Sequence, residues 1–189
     1  MTITLIRHAE VEERYHNCYN GHVDIGLSQR GYEQARNLAE HFKGQNFDAV
    51  FCSDLFRARE TLKTFEYAKD AIYTEKLREK SFGKHDGLEF DEIIAQGEIE
   101  YKDFTQWIAA LDGEDVASFE QRVKEFFFNY LPSLQYENIL VVTHAGVIKV
   151  LMATVQNLTL EEAFAIPLPY GSYTIYESTK RSFSQAKSV

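Results

Sequence analysis

Two arginines and two histidines in this 189-residue chain stand where, or just after, short apolar runs give out. Arg7 and His8 follow Ile3–Ile6, the stretch Ser53 to Arg57 follows Ala49–Cys52, and Thr143 and His144 follow Ile139–Val142. A guanidinium is a planar, permanently charged fork that matches phosphate oxygens two at a time, which makes Arg7 and Arg57 candidates for holding a phosphate dianion. A neutral imidazole attacks phosphorus when one ring nitrogen is held as a donor and the other keeps its lone pair, a role open to His8 or His144. Helix starts just after His8, Ser53 and His144 would add backbone N–H groups and positive dipole ends.

These residues need elements that bring them together. The three apolar runs have the composition of strands covered on both faces. Tyr32, Ala35, Leu38, Ala39 and Phe42 recur at helical spacing and predict a helix within Gln29 to Phe42; a second is expected over Phe56 to Tyr67. Ser118 with Gln121 forms a capping-box pattern, so another helix is expected to start at Ser118 and to end or kink at Pro132. Val147 to Val155 reads as a buried helix, Tyr173 to Tyr176 as a late strand and Ile72 to Thr74 as a weaker one. Strands alternating with helices predict an α/β three-layer sandwich, a mostly parallel sheet flanked by helices. Such sheets bind ligands beyond the carboxyl ends of their strands.

Composition excludes several classes. The net charge of −9 removes the electrostatic drive for nucleic-acid binding, so any phosphate site must be local. No apolar stretch approaches the length of a membrane-spanning helix. Cys18 and Cys52 lack CxxC spacing, which argues against a disulfide framework or zinc site and fits free thiols in a reducing cytoplasm. The six histidines contain no HExxH, and Arg7 beside His8 favours an anion over a dication; no metal and no cofactor are expected.

The motifs in their order resemble the histidine phosphatase superfamily, also called phosphoglycerate mutase-like. They are RHAE from Arg7 to Glu10, YNGHVDIGLSQRGYEQA from Tyr19 to Ala35, SDLFRARET from Ser53 to Thr61, LREKSFGKHDG from Leu77 to Gly87 and VVTHAGVI from Val141 to Ile148. The resemblance implies that His8 is the nucleophile, that Arg7, Arg57 and His144 surround the phosphoryl group, and that Glu79 is the proton donor. Asn20, Gly21 and Ala145 fall where the family approaches substrate. Arg14 replaces an asparagine found near the phosphate in many relatives, and is expected either to add a fork to it or to face solvent. His85 and Asp86 replace a frequent tryptophan and glutamate; a structural or substrate-adjacent role is expected for His85.

The resemblance further implies one domain over residues 1–189 with a helical lid insertion at about 83–118. Ten carboxylates between Asp86 and Gln121 face a single Lys102, and the paired arginines of mutases are absent there. Hydrolysis of a small phosphomonoester is therefore expected, with mutase, protein phosphohistidine or phosphotyrosine phosphatase and non-catalytic phosphate-binding readings as alternatives. GEDVASFEQRV and YENILVVTHAGVIKVLMA resemble the α-ribazole phosphatase branch, which implies α-ribazole 5′-phosphate as a substrate. The acidic segment is expected to overhang the leaving-group side and repel a second phosphate, unless its carboxylates form a solvated outer face.

Overall fold

A computed structural model describes residues 1–189. Strands β1 (Thr2–Arg7), β2 (Ala49–Ser53), β3 (Ile72–Thr74), β4 (Asn138–Thr143), β5 (Tyr173–Glu177) and β6 (Ser182–Phe183) form one sheet in the order β3-β2-β4-β1-β5-β6. The first four run parallel and β5 pairs antiparallel to β1. This is the expected mostly parallel α/β sandwich, with helices on both faces.

Alternation along the strands decides which helix packs where, because successive side chains point to opposite faces. Ile139 and Val141 of β4 join Ile3 and Leu5 in a core with α5 (Val116–Glu125) and α7 (Ala145–Gln156). Leu140 and Val142 join Ile6, Val50 and Cys52 in the opposite core, against α1 (Gln29–Phe42) and α2 (Phe56–Leu62). Each large aliphatic side chain fully buried in this way contributes about 1.5–3 kcal/mol. β3 lies at the sheet edge with Ile72 and Tyr73 exposed, in keeping with its weaker sequence signal.

Two predicted boundaries fall elsewhere and a third holds. The α2 helix stops at Leu62 rather than near Tyr67, and the turn that follows buries Phe65 in the core under α1 and α2. The α5 helix starts at Val116, because the Asp115 carboxylate accepts the Ser118 N–H at 2.9 Å and so caps the helix ahead of the expected serine. At its far end a wide π turn, Phe126–Tyr130, precedes the short α6 (Leu131–Ser133), and Pro132 sits in the last turn. The helix ends one residue after the proline, whose ring and missing N–H disfavour a regular α turn in the preceding residues, where the π turn lies, in keeping with the expected end or kink.

Between the sheet elements lie two short helices, α3 (Phe90–Ala95) and α4 (Phe104–Ala110), with a small core of their own made by Ile93, Trp107 and Leu111. The last helix, α8 (Leu160–Ala165), packs against α7 and meets α4 through Phe104 and Phe164, whose ring centroids are 5.2 Å apart. No helix is long and apolar enough to cross a membrane.

Candidate active site

Parallel register brings the chemistry together. Arg7 lies opposite Thr143 and Cys52 opposite Val142, so β1, β4 and β2 release His8, His144 and Ser53 at one edge of the sheet. The His8 N–H donates to the Thr143 carbonyl at 2.9 Å. The two imidazoles are buried, with centroids 5.1 Å apart and planes tilted by 58°.

His8 Nδ1 lies 2.8 Å from the Ala9 carbonyl oxygen. A carbonyl only accepts, so Nδ1 carries the proton and Nε2 is left as the basic nitrogen. Burial, reinforced by the Arg57 and Arg7 charges, holds the His8 pKa well below the usual imidazole value. The ring is neutral at pH 7. His144 is depressed in the same way, by burial first and then by Arg57. Its Nε2 lies 2.7 Å from Ser53 Oγ, while Nδ1 is buried without a partner.

The arginines are oriented by backbone carbonyls. Arg57 donates from Nη1 to Val23 at 3.0 Å and from Nη2 to Gly21 at 2.7 Å; burial lowers its pKa to about 10, which leaves it charged at pH 7. Arg7 donates from Nη1 to Leu168 at 2.6 Å, and its guanidinium carbon lies 3.7 Å from the centroid of the Tyr170 ring. The Nε groups of both are buried with nothing to donate to. Buried donors are rarely left unpaired, and two such guanidinium groups near a neutral imidazole can form a cradle for an anion.

Glu79 enters from the segment after β3. Its Oε2 accepts the Gly146 N–H at 2.9 Å in the first turn of α7 and its Oε1 accepts the Lys80 N–H at 3.0 Å. The N–H groups in the first turn of a helix have no partner within it, which leaves that of Gly146 free to hold Glu79. No helix starts after His8, so of the three expected helix starts only those after Ser53 and His144 exist.

Asn20, Gly21 and Ala145 line the same cavity, of about 330 Å³, together with Arg7, His8, Arg57 and Glu79. Asn20 Nδ2 donates to the Tyr15 carbonyl at 2.9 Å, and its Oδ1 is buried without a partner. At Gly21, with φ of +37°, a Cβ would overlap the Asp86 carboxylate, so only glycine fits this turn. Arg14 is elsewhere: it is exposed, its guanidinium carbon lies 4.3 Å from the centroid of the Tyr15 ring, and it borders a separate depression with Asp86, Glu89 and Glu92. It therefore adds no fork to the His8 site. His85 is structural, its Nδ1 accepting the Asp112 N–H at 3.0 Å.

Residues 3–188 match the family described as histidine phosphatase superfamily (branch 1). The chain belongs to this superfamily. It is similar to the adenosylcobalamin/alpha-ribazole phosphatase of Escherichia coli strain K12, at 29% identity over 96% of this chain and 92% of that one. The putative phosphoserine phosphatase 2 of Hydrogenobacter thermophilus is 28% identical over 90% of this chain and 86% of its own length. The solved structure of a putative alpha-ribazole-5′-P phosphatase from Escherichia coli superposes with a TM-score of 0.84 at 28% identity, covering all of this chain and 96% of the other.

In this histidine phosphatase the carboxylates of the acidic insertion do not line the cavity, contrary to the expected overhang. Most of its carboxylates are engaged by backbone N–H groups or by basic side chains. Asp103 and Asp115 cap α4 and α5, and Glu89 and Glu92 form the capping box of α3. Asp86 accepts from His22 and Phe82 N–H groups, Asp112 from Lys84 N–H, Glu98 pairs with Lys84 and Glu114 with Arg122. The wall beyond Glu79 is instead apolar, formed by Phe82, Phe104, Ile108, Val116, Phe119, Val150, Leu160 and Phe164. Nothing in the sequence marks these residues or Tyr170 as site residues. An apolar residue on a short helix looks the same whether it fills a core or walls a pocket, and Tyr170 sits in a proline-flanked loop with no periodicity.

Proposed function

We propose that this histidine phosphatase hydrolyses phosphomonoesters of small alcohols with uncharged tails, through a phosphoryl group carried on His8 Nε2. The observation that carries the reading is the His8 tautomer: Nδ1–H held by the Ala9 carbonyl, between two guanidinium groups whose Nε donors are unpaired. In the first step Nε2 attacks phosphorus as the ester P–O bond breaks, and Glu79 gives its proton to the departing oxygen. In the second, water attacks phosphorus, its proton passes to Glu79, and the N–P bond breaks to return neutral His8 and inorganic phosphate. Arg7, Arg57, His144 and the Ala145 N–H stabilise charge on the three non-bridging oxygens of the phosphoryl group, a duty that metal ions perform in many phosphoryl-transfer enzymes.

The apolar wall supports an uncharged tail, and with the names of the relatives it supports α-ribazole 5′-phosphate as the finer assignment. A mutase would need a second cationic pocket. The one further cation on the cavity wall, Lys80, is buried, with its ammonium on the Ser81 carbonyl at 3.2 Å and 4.8 Å from the centre of the Phe82 ring. Hydrolysis is the reading this favours. Within a single domain over residues 1–189, the stretch 83–118 acts as the lid, and the free thiols Cys18 and Cys52 favour a reducing compartment such as the cytoplasm. A turnover screen over metabolite monophosphates, run with and without EDTA, tests the reading. Release of phosphate that survives chelation is expected, whereas faster phosphate exchange between glycerate positions than release would overturn it.

A further inference from the structure

The contact between Glu79 and α7 is allowed by one missing methyl group. Gly146 is the second residue of α7, and its N–H holds Glu79 Oε2 at 2.9 Å. A Cβ built on Gly146 would overlap Glu79 Oε1, lie 2.9 Å from Cδ and 3.1 Å from Oε2. All three of the nearest atoms belong to that one carboxylate. No backbone or core atom is among them, so a side chain here would displace the end of Glu79 and leave the surrounding fold in place.

Nothing else in the chain asks for glycine at this position. It lies in regular helix rather than at a positive φ, and a helical glycine is less stable than alanine by roughly 0.5–1 kcal/mol. The carboxylate is fixed from its other side by the Lys80 N–H, and the backbone of Glu79 is fixed where its carbonyl lies 2.9 Å from His22 Nε2. With the main chain held, the acid can take up its place on the cavity wall only if α7 presents bare backbone.

We infer that Gly146 is a positioning residue for the general acid: its lack of a side chain sets where Glu79 stands relative to His8 and the leaving oxygen. This rests on the reading of Glu79 as the proton donor. It extends that reading to a residue that has no side chain to titrate.

The test compares G146A, E79Q and the double variant on an alkyl phosphate and on p-nitrophenyl phosphate, whose leaving group departs without protonation. General acid catalysis contributes about 10²–10⁴-fold, so E79Q is expected to lose much more on the alkyl ester than on the aryl one. G146A should reproduce part of that selectivity, with the alkyl-to-aryl ratio of kcat/KM falling by about tenfold, and should add no further loss in the E79Q background. Its melting temperature should be no lower than that of the parent, which separates the effect from damage to the fold. An unchanged ratio in G146A where E79Q shows the leaving-group effect overturns the role of Gly146 alone. Equal slowing of both esters in E79Q overturns the acid assignment and this inference with it. A lower melting temperature with uniform loss on both esters would make Gly146 merely structural, which also overturns it.

Discussion

Trp107 of α4 donates its indole N–H to the Tyr19 hydroxyl at 2.7 Å, across 88 positions of sequence. The bond ties the insertion to the loop that carries Asn20 and Gly21, and Phe82 packs edge-on against the same tyrosine with centroids 5.2 Å apart. The apolar wall and the loop of Asn20 and Gly21 are thus fixed to each other. Tyr19→Phe leaves the buried indole N–H unpaired, which is expected to cost about 1–2 kcal/mol. Denaturant melts should show this loss, and KM should rise more than kcat falls; unchanged stability and KM would show that the two segments are held independently.

Selectivity is expected to follow the apolar wall rather than charge. Phe164→Ala removes one of the two rings that meet over the cavity, and should raise KM for α-ribazole 5′-phosphate by about fivefold, equivalent to ~1 kcal/mol of lost contact. Phosphoserine, whose tail carries charges with no partners on that wall, should remain a poor substrate in both proteins. A larger effect on phosphoserine than on the ring-bearing ester would place the leaving group elsewhere.

Stability should fall in mild acid. His8 and His144 have folded pKa values held well below 6.5, so below that pH the unfolded chain binds protons that the folded protein does not, and stability decreases as pH drops. From pH 7.5 to 5.5 each histidine is expected to remove about 1.4 kcal/mol. Chemical denaturation at the two pH values should show this difference, reduced by about half in His8→Gln. A pH-independent midpoint would mean that the imidazoles titrate freely in the fold.

Much of this architecture was legible in the sequence because it rests on local pattern. The runs at Ile3, Ala49 and Ile139 became the strands that carry the site, and α1 spans the residues its periodicity marks. What was not legible depended on direction. The carboxylates of the insertion are visible as charge, but their use as caps and turn staples, pointing away from the cavity, is set by tertiary geometry. The start of α5 was misread for a related reason: Ser118 and Gln121 match a capping box, yet Asp115 takes the Ser118 N–H first. Asp115→Ala should therefore cost about 1 kcal/mol in a thermal or denaturant melt and Ser118→Ala much less, and the reverse order would restore the serine as the cap.

Rapid-quench mass spectrometry during turnover tests most directly whether His8 Nε2 carries the phosphoryl group. An acid-labile, base-stable phosphoryl group is expected on the peptide containing His8, absent from His8→Ala, which should be inactive. A phosphoryl group on a serine, an aspartate or His144, or full activity in His8→Ala, would contradict it.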